Sequence, residues 1–118
     1  MKTSFFASIL MIAFFSITSI NAVAGESVTQ EKFKVFGNCG MCKSRIEKSL
    51  KISEVSSAQW DKNTKVLSVK YNANAITLDS LQKIVASVGH DTEKYKAADE
   101  MYNDLPGCCL YRENKESH

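Results

Sequence analysis

Between Glu31 and Lys96 the spacing of apolar residues changes repeatedly, and that succession restricts what the chain can fold into. In Glu31 to Phe36, Phe33 and Val35 alternate with Lys32 and Lys34, the period of a strand with one buried face. Gly37-Asn38 ends it. Over Met41 to Ile52 the period lengthens: Cys42, Ile46 and Leu50 are four apart on one helix face, with Lys43, Glu47 and Lys51 on another. Glu54 to Trp60 reads as a less regular strand, and Asp61-Lys62-Asn63 as a turn. Lys65 to Tyr71 is a strand with Leu67, Val69 and Tyr71 on one side. Thr77 can cap a second helix, whose stripe is Leu78, Leu81, Ile84, Val85 and Val88, with Gly89 as its stop. Asp91 to Lys96 is a short polar strand suited to a sheet edge.

The order strand, helix, strand, strand, helix, strand predicts an α+β sandwich: a four-stranded antiparallel sheet with both helices on one face. An extension, residues 97–118, follows. Ala98, Met101, Tyr102 and Leu105 are placed so that a short helix can lay one face on the domain. Pro106-Gly107 stops it, Cys108-Cys109 comes next, and the polar residues from Arg112 onward are expected to fray.

The first 24 residues have a different character. Lys2 precedes an apolar run from Phe5 to Ile20, and Ala22-Val23-Ala24 offers small residues at the positions a signal peptidase reads. The uninterrupted apolar part is short for a bilayer crossing and no stop-transfer charges follow. Residues 1–24 are therefore expected to be a cleaved signal peptide and the protein to be exported, in a periplasm, with no membrane span in the mature chain. A lead of residues 25–30 then precedes the domain, residues 31–96. The mature length allows one modest core and no deep two-domain cleft. The formal net charge of +2 moves toward neutrality without Lys2, and basic and acidic residues are interleaved, so no nucleic-acid partner is expected. No paired general acid and base, phosphate-cradling glycine loop or nucleophilic triad is present, so no enzyme is expected either.

All four cysteines, Cys39, Cys42, Cys108 and Cys109, lie after the leader in two tight pairs. That clustering suits site chemistry better than a disulfide framework. A pair spanned by Gly40-Met41, between a strand end and a helix start, has three readings: soft-metal site, redox dithiol or plain disulfide. Thiolates are strong ligands for Cu(I), Hg(II) and Zn(II). The helix N-terminus with Lys43 and Arg45 would favour thiolate over thiol. Cys42 shares the buried stripe with Ile46, leaving Cys39 as the more open sulfur. A dithiol oxidoreductase would want a longer sheet with parallel strands and a proline facing the cysteines; the single proline, Pro106, is in the tail. Context favours metal.

Phe33 to Tyr95 resembles a heavy-metal-associated domain, the module of copper chaperones, copper-ATPase N-terminal domains and the periplasmic mercuric-ion-binding protein. The resemblance rests on Gly37-Asn38-Cys39-Gly40-Met41-Cys42-Lys43 followed by Arg45-Ile46-Glu47. It implies a ferredoxin-like fold, Cys39 and Cys42 as metal ligands, and a metal-transporting ATPase or other metal-accepting protein as partner. The family's loop usually carries a methionine two residues before the first cysteine, bracing the loop; that position is Gly37 here, and Met41 sits between the cysteines instead. Met41 is a candidate third ligand. His90, at the turn after the second helix, is a candidate ligand or tuner of the site. Cys108 or Cys109 either reaches the loop, closing a multi-sulfur site or forming disulfides with it, or makes a separate thiol site or a tail disulfide. Four thiolates would suit Zn(II) or a Cu(I) cluster. The expected function is a soft-metal carrier, chaperone or scavenger, with Cu(I) favoured and Hg(II) scavenging as an alternative, working by thiolate exchange. A periplasmic thiol–disulfide protein is the competing class.

Overall fold

A computed structural model of the protein describes residues 27–113. The expected signal peptide and the last five residues lie outside the described residues. The elements run β1 (Val28–Lys34), α1 (Gly40–Ser49), β2 (Val55–Trp60), β3 (Val66–Asn72), α2 (Leu78–Ser87) and α3 (Asp99–Asn103), followed by 3-10 turns at Gly107–Cys109 and Tyr111–Glu113. The strands form an antiparallel sheet in the order β1-β3-β2. Phe33 pairs with Leu67 and Glu31 with Val69, while Trp60 pairs with Leu67 and Ala58 with Val69 across the other edge.

The core follows from the two periods. Phe33 and Val35 from the first strand segment and Leu67, Val69 and Tyr71 from β3 are buried, as alternation requires. They meet Ile46 and Leu50 of the α1 stripe and Leu81 and Val85 of α2. Leu78, Ile84 and Val88 are half-buried at the margins of the α2 stripe. The Thr77 side chain accepts from the Ser80 backbone N–H at 3.1 Å, capping α2 as its sequence predicts. Gly89 ends that helix with φ +103, a conformation that L side chains rarely adopt.

The sheet departs from expectation at both ends of the domain. β1 begins at Val28, inside the lead assigned to residues 25–30, because β3 continues to Asn72 and its backbone groups need partners. Val28 is 64% exposed, so no hydrophobic alternation announces it. At the other end the predicted fourth strand, Asp91 to Lys96, shrinks to an isolated bridge between Val35 and Thr92. The reason is local. The Thr92 side chain accepts from the backbone N–H of Tyr95 at 2.9 Å, and the Thr92 N–H donates to the Tyr95 carbonyl at 2.7 Å. This turn closes before a ladder can form. The β1-β3-β2 sheet with its two helices stands, and the four-stranded sheet is corrected to three strands plus a bridge.

The extension is less frayed than its composition implies. α3 is short, with Tyr102 buried and Met101 on the outside, and Leu105 packs over Gly89. Arg112, expected to fray, is instead held. Its guanidinium bonds both carboxylate oxygens of Asp91, at 3.1 and 2.7 Å, and the Ala97 carbonyl at 2.7 Å. Among the described residues no helix is long and apolar enough to cross a membrane.

Candidate metal centre

Cys39 is the residue just before the first turn of α1, with extended backbone at φ −138 and ψ 176. Cys42, one turn on, points into the core and is fully buried; Cys39 is half-buried. The sulfurs are 3.4 Å apart and unbridged. The Asn38 backbone N–H donates to Cys42 Sγ at 3.4 Å, tying the sulfur to the loop that precedes it.

The loop has a brace that the sequence did not reveal. A Cβ at Gly37 would lie 3.0 Å from Cys42 Cβ and 3.1 Å from Cη2 of Trp60. The Trp60 indole thus occupies the space behind the loop. It is locked there by its Nε1–H, which donates to the Val35 carbonyl at 2.9 Å. Lys65 closes the other side: its Nζ donates to the Gly37 carbonyl at 2.7 Å and lies 5.6 Å from the Trp60 ring centroid. Gly37 and Trp60 fit each other. The only signal was a glycine where bulk was expected.

Cys108 and Cys109 arrive from the C-terminal extension. Cys39 Sγ is 3.4 Å from Cys108 Sγ and 3.4 Å from Cys109 Sγ, and the two tail sulfurs are 3.9 Å apart. The ligand atoms of Cys39, Cys108 and Cys109 all lie within 4.8 Å of one another. Cys109 is fully buried, whereas Cys108 is exposed and is the most open sulfur of the four. Met41, 55% exposed, brings its thioether sulfur within 3.5 Å of Cys108 Sγ. Among the described residues, the side-chain atoms brought together here are the sulfurs of Cys39, Cys42, Cys108, Cys109 and Met41, a soft donor set.

Lys43, Arg45 and His90 make other contacts. Lys43 pairs with Glu47 and donates to the Trp60 carbonyl at 2.9 Å, so its charge is spent on the α1–β2 contact. Arg45 lines an open groove with Met41, Lys48, Met101 and Leu105. His90 is fully buried. Its Nδ1 is 2.8 Å from the Phe36 carbonyl, its ring stacks on Tyr111 at 5.4 Å, and its Nε2 has no hydrogen-bond partner. Burial holds His90 below the usual histidine pKa.

Electrostatics separate the thiols by role. Burial opposes charge on Cys39, but the Cys42 backbone N–H and the thiols of Cys108, Cys42 and Cys109 outweigh it and bring its pKa down to about 7. Cys108 is pushed up because its hydrogen bond is given to Cys39, and burial pushes Cys109 up further. Cys39 is the thiol nearest to ionising at neutral pH, and a cation bound at Cys108 or Cys109 would displace their protons.

Against known proteins, the heavy-metal-associated domain family model matches residues 32–91. No curated protein sequence matches the chain. Among solved structures, one described as the CopZ metallochaperone is 30% identical, with TM-score 0.52, covering 54% of this chain and 98% of that one. The N-terminal domain of a potential copper-translocating P-type ATPase from Bacillus subtilis, in the Cu(I)-loaded state, is 28% identical, with TM-score 0.52, covering 56% and 85%.

Proposed function

The chain belongs to the heavy-metal-associated domain family, and on that premise we propose that it is an exported carrier or scavenger of a soft metal ion, with Cu(I) as its cargo. Cys39 and Cys42 are its loop ligands. The observation that carries this reading is the cluster of four cysteine sulfurs at the start of α1. Thiolates without hard oxygen donors select Cu(I) over divalent ions of the first row that prefer nitrogen or oxygen. Exposed Cys108 and half-buried Cys39 leave a face where an acceptor's thiolate can enter, so the cargo passes by ligand exchange. The acceptor is a metal-transporting ATPase or another thiol-bearing metal protein. Similarity to a metallochaperone and to a P-type ATPase domain supports both cargo and partner class. Export rests on the leader pattern of residues 1–24.

Purification without oxygen, a thiol count and native mass spectrometry with Cu(I), Zn(II) and Hg(II) test the reading. The wild type should hold Cu(I), and Cys39→Ser with Cys42→Ser should not. The exported protein should begin near Gly25. A metal-free protein that exchanges disulfides would instead establish the competing thiol–disulfide reading.

A further inference from the structure

The family match ends at Asp91, so Cys108 and Cys109 lie beyond it. Their place on the loop is nonetheless built by the fold. Tyr111, fully buried two residues past the pair, donates from its hydroxyl to the Gly89 carbonyl at 2.8 Å and accepts from the Asp91 N–H at 2.7 Å. Arg112 grips Asp91 and stacks on Tyr102, 4.3 Å from the ring centroid. On the other side Leu105 seats against Gly89. The Asn38 side-chain amide donates to the Cys108 carbonyl at 3.5 Å. The extension is a strap, fastened before and after its thiol pair.

Sulfur spacing discriminates between kinds of site. With metal–sulfur bonds of about 2.3 Å, a linear ion holds its two sulfurs about 4.6 Å apart, whereas trigonal and tetrahedral shells have edges of about 4.0 and 3.8 Å. Cys39 Sγ lies 3.4 Å from each of Cys42, Cys108 and Cys109, and Cys108–Cys109 is 3.9 Å. A bound ion would spread the Cys39 contacts by about 0.4–0.6 Å to reach a tetrahedral or trigonal edge, and by about 1.2 Å to reach a linear span. Given that the loop binds a soft metal, the geometry points to Cys108 and Cys109 as further ligands. A Cu(I) ion is held by three or more thiolates drawn from loop and strap, with Cys39 shared between them. Each thiol that binds gives its proton to solvent. Release proceeds through the outermost sulfur: an acceptor thiolate forms its bond to the ion as the Cys108 bond breaks, with no electron transferred.

X-ray absorption on the reduced, Cu(I)-loaded protein reads the shell directly. The wild type should show three or more sulfurs per ion, and the Cys108→Ser, Cys109→Ser variant two. Competition with a chromogenic Cu(I) chelator should show an affinity loss of at least about tenfold, the lower end of what losing even an outer-sphere partner costs. Cys108→Ser alone, at an exposed position, separates ligand loss from misfolding, and Arg112→Gln should speed Cu(I) release without removing a sulfur. A two-sulfur wild type, unchanged in both cysteine variants while Cys39→Ser, Cys42→Ser abolishes binding, overturns the strap ligands and leaves the loop reading standing. Undiminished Cu(I) binding by that loop variant, or none by the wild type, overturns the loop reading and the strap ligands with it.

Discussion

Gly37 and Trp60 show how a single position carries a decision about the site. A side chain at Gly37 would strike Cys42 Cβ and the indole at 3.0 and 3.1 Å, so the loop backbone lies directly on the ring. Gly37→Met should destabilise the reduced apo protein by about 1–3 kcal/mol in chemical denaturation, the cost typical of overpacking. Trp60→Ala should cost about 3–5 kcal/mol, as large aromatic truncations do. Combined, the two should cost less than their sum, because methionine would enter the space the indole leaves. Strict additivity would show that they do not share that space. The cysteine pair and its helix were legible in the sequence because thiol spacing and the four-residue stripe are local. The brace was not: Gly37 and Trp60 meet only once β2 is paired and α1 is laid over it.

At the scale of an element, the strap depends on the Asp91–Arg112 pair, whose side chains are only 12% and 17% exposed. Burial raises the Asp91 pKa, but the Arg112 guanidinium and the Ala97 N–H outweigh it and hold the carboxyl below its ordinary 3.8. A depressed acid contributes its stability in full above the unfolded value and loses it as pH falls through the folded one. Amide protection at Cys109 and Leu110 should therefore hold at neutral pH and collapse only below the ordinary carboxylate range. In Arg112→Ala it should already be low at neutral pH, because an unpaired, largely buried carboxylate costs several kcal/mol. Protection unchanged in that variant would mean that Tyr111 alone fastens the strap. The same element explains the missing fourth strand: Asp91 turns its side chain to Ala97 and Arg112, and Thr92 closes a turn. The polar run after Gly89 has the pattern of an edge strand because edge strands are polar; nothing local encodes that the partner of Asp91 is an arginine 21 residues away.

For the molecule as a whole, an ion held by Cys39 and Cys108 would tie together segments 69 residues apart. Ligand binding to the folded state alone stabilises by about 2.7 kcal/mol at a hundredfold excess over Kd. Cu(I) should accordingly raise the melting temperature of the wild type, and at equal free Cu(I) it should raise that of Cys108→Ser, Cys109→Ser less. Equal shifts would leave the ion's stabilising effect entirely with the loop.

The sequence by itself located the two helices and three strands, the buried faces of α1, β3 and α2, and the loop cysteines. Those features follow from periodicity and spacing within a dozen residues. Only the tertiary structure decided what surrounds the loop. It put Trp60 behind Gly37, buried His90 against Phe36 and Tyr111, and returned Cys108 and Cys109 to within 3.4 Å of Cys39. Such contacts join residues far apart in the chain, and no local pattern encodes where a strap comes down until the core it packs on exists.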